Sequence, residues 1–141
     1  MTTLNVLDSN LETQNPVRLR ALRSVGAVLG GLIATFIVTT AVDIAMHALG
    51  IYPAVGTRMA DALFLFALAY RIPFNVGGSY VTARLAPARP LRHALALGVT
   101  GTVIATAGAI AMWSSGPAWY SLANIVFALP CAWVGGKLVK Q

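Results

Sequence analysis

The apolar residues of this chain fall into long runs that are separated by short polar segments. Four runs can be delimited, at residues 24–49, 59–83, 94–114 and 120–138. Each is long enough for a helix to cross the hydrocarbon core of a bilayer, which takes about 20 residues. A helix is expected because it satisfies its own backbone polar groups, for which lipid offers no partners. The pattern therefore predicts an all-α, integral membrane bundle of four transmembrane helices, antiparallel in chain order because their connections are short.

Composition supports the same class. The chain has 141 residues, of which 57% are apolar and 10% charged, whereas soluble domains are about a quarter charged. We expect one domain at 18–141, preceded by a mobile tail at 1–17, where the sequence is polar and has no periodicity. The first apolar run is too long for a signal peptide, so we expect it to stay in the mature protein.

The net charge of +6 is distributed unevenly along the chain. Only Arg58 falls on the outer side of the predicted layout, and Arg71 falls within a helix. The other basic residues all fall on one side: Arg18, Arg20, Arg23, Arg84, Arg89, Arg92, Lys137 and Lys140. This bias predicts that both termini are cytoplasmic and that the basic side contacts anionic lipid headgroups. No motif suggests a nucleic-acid partner.

Arg71 lies near the middle of the second apolar run. A guanidinium at that depth costs about 3 kcal/mol unless the protein satisfies it. Asp43 and His47, in the first run, are the expected partners. Residues four apart lie on one helix face, so the polar residues of the two runs predict one polar stripe, formed by Thr39, Asp43, His47, Arg71, Asn75 and Ser79. Thr35 extends the stripe along the first helix, and Thr102, Thr106 and Asn124 are expected to face it from the second half.

Two interpretations of this stripe stay open. Asp43 and Arg71 form a structural pair that fixes the first hairpin, or the stripe lines a passage or binding site. In the second case Asp43 titrates or holds a cation, His47 relays protons and Arg71 supplies a counter-charge. Catalysis is disfavoured, because no nucleophile, metal-ligand set or cofactor motif accompanies these groups. Cys131 is the only cysteine.

Small residues repeat every four positions on the first and third helices. The repeats comprise Gly26, Gly30 and Ala34 on the first helix, and Gly101 and Ala105 on the third. Small residues at this spacing allow helices to approach closely in lipid. They predict packing of the first helix against the third, association between copies, or both.

Pro73 and Pro130 lie within the second and fourth runs, where each leaves a carbonyl without its helical donor and predicts a kink. The two halves also share the pattern V-x-G-x-x-I-A-T, at 28–35 and 99–106. A duplicated hairpin is one explanation of this likeness. Chance similarity between membrane segments rich in Gly, Ala and Val is the other.

Aromatic residues gather near the outer turns. Tyr52 follows the first run, and Trp113, Trp119 and Tyr120 flank the turn between the third and fourth. These side chains suit the membrane–water interface, where an amphipathic ring is favourable. We therefore expect all four to lie in an interfacial belt.

Several segments together resemble a group of small bacterial membrane proteins to which no activity is assigned. The segments are DALF at 61–64, YR at 70–71, GGSYVTARLAP at 77–87, RP at 89–90, HA at 93–94, LPCAW at 129–133 and GGKL at 135–138. The resemblance implies a location in the bacterial inner membrane. It implies no substrate, cofactor or catalytic residue.

The sequence thus leaves two main functional hypotheses. The first is a non-catalytic accessory or assembly subunit, or an oligomeric scaffold, that associates through its Gly/Ala faces. The alternative is an oligomeric transporter or channel for protons or a small ion or solute, because four short helices enclose little volume alone. No cofactor is expected under either hypothesis, and an enzyme acting on lipids or quinones is the least supported class.

Overall fold

A computed structural model describes the backbone of residues 2–140 and the side chains of residues 16–140. The described part of the chain is all-α, as the sequence predicted. Its helices are α1 (Thr2–Ala48), α2 (Asp61–Leu85), α3 (Pro90–Ala111) and α4 (Ala118–Lys137).

Three of these helices are long and apolar enough to cross a membrane, namely α3, α4 and the Pro16–Ala48 part of α1. Their large apolar side chains point outward, as Val103 (63% exposed) and Val126 (65% exposed) illustrate. Such exposure is typical of a lipid-facing surface, because lipid replaces water as the solvent for those side chains. Helix α2 carries Arg71 and Asn75 within its apolar run, and its crossing of the membrane stays a prediction.

Helices α1 and α3 begin earlier in the chain than the apolar runs predicted. No regular structure was predicted for residues 1–17, whereas α1 begins at Thr2; the mobility of that segment stays a prediction. Helix α3 begins at Pro90 rather than at residue 94. Proline fits the first helical position because the amide proton it lacks would have no partner there.

Contacts between glycines and neighbouring helices define how the four helices pack. Gly31 of α1 lies against Gly78 of α2, and Gly98 of α3 lies against Ala132 of α4. Helix α2 also packs along α4, whereas α1 and α3 have the least extensive contact of the neighbouring pairs. The helices therefore follow the order α1, α2, α4, α3 around the bundle, with each hairpin antiparallel.

The closest approach of α1 and α2 depends on the absence of a side chain at Gly31 and Gly78. A Cβ atom at Gly78 would collide with Thr35 Oγ1 and lie 2.9 Å from the carbonyl oxygen of Gly31. A Cβ atom at Gly31 would collide with Thr82 Oγ1. Backbones that approach this closely gain van der Waals contact, which drives helix association in lipid.

The glycines that were predicted to pack α1 against α3 do not make that contact. Gly26 and Gly101 have no heavy atom within 4 Å of the position a Cβ would occupy, and Gly30 faces Leu85 of α2. A four-residue repeat defines a helix face but not the neighbour of that face, because the rotation of each helix is set by all its neighbours. Association between copies through these residues stays a prediction.

Helices α2 and α4 continue through Pro73 and Pro130 without a break in the helix assignment. Kinks at these prolines stay predictions, as does the duplicated hairpin.

The antiparallel order places the basic segments at 18–23, 84–92 and 137–140 at one end of the bundle. There Lys137 Nζ lies 4.3 Å from the centre of the Trp133 ring, and the Arg84 guanidinium lies 6.0 Å from that of Tyr80. We call this the basic end, and its cytoplasmic location stays a prediction.

Candidate functional site

An ion pair joins α1 to α2 in the half of the bundle away from the basic end. Arg71 Nη2 lies 2.7 Å from Asp43 Oδ2, and the two side chains are 31% and 30% exposed. The hydroxyl of Tyr70 donates to the other carboxylate oxygen of Asp43. Both oxygens of the acid are therefore bonded within the first hairpin. The Nε atom of Arg71 is buried without a hydrogen-bond partner in the described part of the chain.

A second tyrosine extends this network to the connection between α1 and α2. The hydroxyls of Tyr52 and Tyr70 lie 3.0 Å apart. Because Tyr70 donates its proton to Asp43, Tyr52 must be the donor in this second bond. Tyr52 is only 5% exposed, so its ring packs inside the protein, and its depth at the membrane–water interface stays a prediction. Its hydroxyl needs a partner inside the protein, and Tyr70 supplies one.

His47 is not part of the ion pair. Its Nδ1 lies 3.0 Å from the carbonyl oxygen of Pro53, and since a carbonyl only accepts, Nδ1 must carry the proton. The imidazole also packs edge-on against the ring of Tyr52, with centroids 5.4 Å apart. His47 thus binds the segment that follows α1 to the end of that helix, one turn away from Asp43.

A cavity of about 380 Å³ lies among the four helices, beside the ion pair. Its walls are mainly apolar, and polar side chains from both hairpins reach it: Thr35, Thr39, Arg71, Asn75, Tyr120, Ser121 and Asn124. The structure therefore brings together Thr39, Arg71 and Asn75 of the predicted stripe, and Asn124 of α4 lines the same cavity. Thr102 and Thr106 do not line it, and their hydroxyls, like the Asn124 amide, donate to carbonyls of their own helix.

Ser79 lies deeper, in a smaller space of about 50 Å³ that also adjoins Asn75. Its hydroxyl donates to the carbonyl oxygen of Asn75 at 2.8 Å. Beyond Ser79, toward the basic end, the bundle is closely packed: Thr82, Ala94 and Ala132 are each 0% exposed. We call this region the sealed half.

Tyr120 forms part of the cavity wall against Arg71. The guanidinium carbon of Arg71 lies 5.9 Å from the centre of the Tyr120 ring, within the range of a cation–π contact. The same ring packs against Phe64, with centroids 5.0 Å apart. Tyr120 is therefore a cavity residue, and its depth at the membrane–water interface stays a prediction.

Sequence reasoning missed Tyr70 and Tyr120 as site residues. Tyr70 carried a usable signal, because it lies well inside an apolar run and a buried phenol hydroxyl usually finds a partner. Tyr120 carried none, since its position next to an outer turn suited an interface equally well.

The cavity offers hydrogen-bond donors and one internally neutralised ion pair. Among the residues whose side chains are described, no group of His, Cys, Asp and Glu is arranged to hold a metal ion. A polar cavity of this volume also has room for water.

Comparisons with protein-family models, with curated proteins and with solved structures give no match to this chain.

Proposed function

We propose that this protein is a non-catalytic accessory or assembly subunit, or an oligomeric scaffold, of the bacterial inner membrane. In this proposal all four helices cross the bilayer, both termini are cytoplasmic, and the basic end contacts anionic headgroups. The observation that carries the proposal is the closed character of the polar network. The ion pair of this network, Asp43–Arg71, is bonded within one hairpin.

Such a network fits a role in holding the first hairpin together. Two charges placed in a membrane interior cost free energy, and the cost is offset only if each finds good partners. Asp43 has Arg71 and Tyr70 as partners, and Tyr70 is held in turn by Tyr52. The groups that a transport mechanism would titrate or move are therefore engaged with one another.

The sealed half supports the same proposal. Thr82, Ala94 and Ala132, which lie toward the basic end from the cavity, are each 0% exposed, so this half is closely packed around them. A path across the bilayer requires these helices to separate. The helices contact one another at glycines in this region. At Gly135 of α4, for example, an added Cβ would lie 2.7 Å from the Cβ of Ser79.

The outward face of α1 offers a surface for association. Val25, Leu29 and Ile33 are 57%, 49% and 55% exposed, and the space beside Gly26 is open. A glycine among apolar residues lets a neighbouring helix approach closely in lipid. A partner helix or a second copy of the chain therefore fits here.

Photo-cross-linking in native membranes tests this proposal. A benzophenone amino acid is placed at Leu29, or at Val126 on α4 as a control of comparable exposure. We expect a protein adduct of discrete mass from Leu29 and only lipid adducts from Val126. Lipid adducts alone at both positions would contradict the association through α1.

Transport of protons or of a small ion or solute is the second candidate. The cavity favours it, because Arg71 and Asn75 line a space of about 380 Å³ that has room for water. Transport would require the sealed half to open during a cycle, so a cysteine at Ser79 would react from the side of the basic end.

A further inference from the structure

We infer that the cavity binds an uncharged, largely apolar molecule through a carbonyl-type oxygen, and that this molecule enters sideways from the bilayer between α1 and α3. This ligand site goes beyond the subunit role and rests on the proposed membrane insertion.

The rim of the cavity indicates a sideways opening. Phe36 of α1 lines the cavity and yet is 70% exposed. Ile104 of α3 and Met112, directly after α3, also line it and are 51% and 64% exposed. Side chains that both line the cavity and lie on the outer surface show where the cavity opens, and we call this opening the mouth. The mouth therefore lies between α1 and α3, the neighbouring pair with the least extensive contact.

Hydrogen-bond donors converge at the wall opposite the mouth. Arg71 uses one Nη atom on Asp43, and an arginine has further N–H groups in a fixed fork. The amide of Asn75 and the hydroxyl of Tyr120 belong to the same lining. An oxygen acceptor placed against this wall would be met by donors from both hairpins.

Charge balance favours a ligand whose hydrogen-bond acceptor carries no charge. Asp43 already neutralises Arg71 at 2.7 Å, so a carboxylate or phosphate would bring a net negative charge into a mainly apolar cavity. That charge would lose its hydration without gaining a free cation in return. A ketone, ester or quinone carbonyl accepts the same hydrogen bonds at a much smaller desolvation cost.

The size of the cavity fits part of such a molecule. Small-molecule sites are about 300–1,000 Å³ in volume, and this cavity holds about 380 Å³. Ile104, Leu32 and Ala105 supply apolar wall next to the donors. A carbonyl head with the first part of an acyl or alkyl chain would fill the space, and the rest of the chain would extend through the mouth into lipid.

Binding is tested with a labelled ketone in a bilayer that contains no carbonyl groups of its own. The full chain is reconstituted in nanodiscs of ether-linked phosphatidylcholine and titrated with undecyl methyl ketone that carries ¹³C at the carbonyl. We expect a saturable fall in the ¹³C=O stretching frequency, because hydrogen bonding weakens that bond. Displacement is expected with unlabelled ketone and not with laurate or dodecane.

Two matched glycine variants locate the site. Gly101→Leu places a side chain into the cavity, and Gly26→Leu places the same side chain on the outer face of α1; neither new Cβ meets a neighbour within 4 Å. We expect Gly101→Leu to raise the Kd for the ketone about tenfold or more. Gly26→Leu should leave this Kd unchanged. Asn75→Leu, which keeps the branched shape of the side chain but removes its hydrogen-bonding groups, should reduce the frequency shift.

The absence of a saturable shift in the unsubstituted protein would overturn the inference, as would equal losses in both glycine variants or stronger displacement by laurate than by ketone.

Replacing ether-linked with ester-linked lipid tests whether the bound carbonyl comes from a lipid ester or from a free molecule. Lower ketone affinity in ester lipid identifies a lipid ester as an occupant, and equal affinity identifies a free molecule. Cross-linking from Leu29 does not depend on the cavity. A negative cross-linking result would therefore contradict the subunit role without affecting the ligand site, and a negative binding result would do the reverse.

Discussion

At the scale of single residues, the account depends on how the Asp43 carboxylate is satisfied. Arg71 and Tyr70 each bond one of its oxygens. Neither the acid nor the guanidinium is fully buried in protein, and both lie within the apolar runs that are predicted to cross the membrane. In a membrane interior, a charge that loses its partner costs free energy unless another polar group satisfies it.

The pair predicts a large difference between single and double variants. Arg71→Met should lower the free energy of unfolding by about 3 kcal/mol, because it leaves Asp43 charged and without its cation. Arg71→Met combined with Asp43→Leu should recover most of that loss, since apolar groups of similar size replace both partners. The free energy is measured by denaturant titration of the purified protein in detergent.

Asp61→Asn is the control for this comparison, because Asp61 lies exposed at the beginning of α2. It should change stability by less than about 0.5 kcal/mol. A double variant that remains as unstable as Arg71→Met would mean that the direct pair does not hold the hairpin together.

At the scale of helices, glycines determine which faces meet. Gly77 and Gly78 are adjacent on α2, but only Gly78 lies against α1. Two adjacent glycines can therefore differ in role: Gly78 is needed for the close contact with α1, and Gly77 is not.

These two glycines predict opposite effects of the same substitution. Gly78→Ala should destabilise the protein by about 1–3 kcal/mol, because the new methyl group forces Thr35 and the Gly31 carbonyl away. Gly77→Ala, with open space around it, should be neutral or stabilising by up to about 1 kcal/mol. Thermal unfolding of both variants, monitored by circular dichroism, makes the comparison. Equal losses would contradict the helix contact at Gly78.

The four helices could be predicted from the sequence because lipid leaves the backbone no alternative to internal hydrogen bonds. The stripe through Thr39, Asp43 and Arg71 could be predicted because four-residue spacing defines a helix face. The places of Tyr52 and Tyr120 could not, since an aromatic residue near a helix end fits an interface or an interior. The contacts of Gly26 and Gly101 could not either, because helix rotation depends on all neighbours at once.

At the scale of the whole molecule, the bundle has two unlike halves. The half away from the basic end contains the ion pair and a cavity to which every helix contributes. The half toward the basic end is closed at Thr82, Ala94 and Ala132. A membrane protein with this shape offers a chamber that ends inside the bilayer, which suits binding and association better than passage.

Thiol accessibility in membranes tests this central claim most directly. Cys131 is replaced by Ala, and single cysteines are placed at Thr39, Asn75, Asn124 and Ser79. Each variant is challenged with a charged, membrane-impermeant reagent from either side. We predict no labelling at any of the four positions from the side of the basic end, and no labelling at Ser79 from either side, in folded protein. Labelling of Ser79 from the side of the basic end would show a continuous aqueous path and would contradict the account.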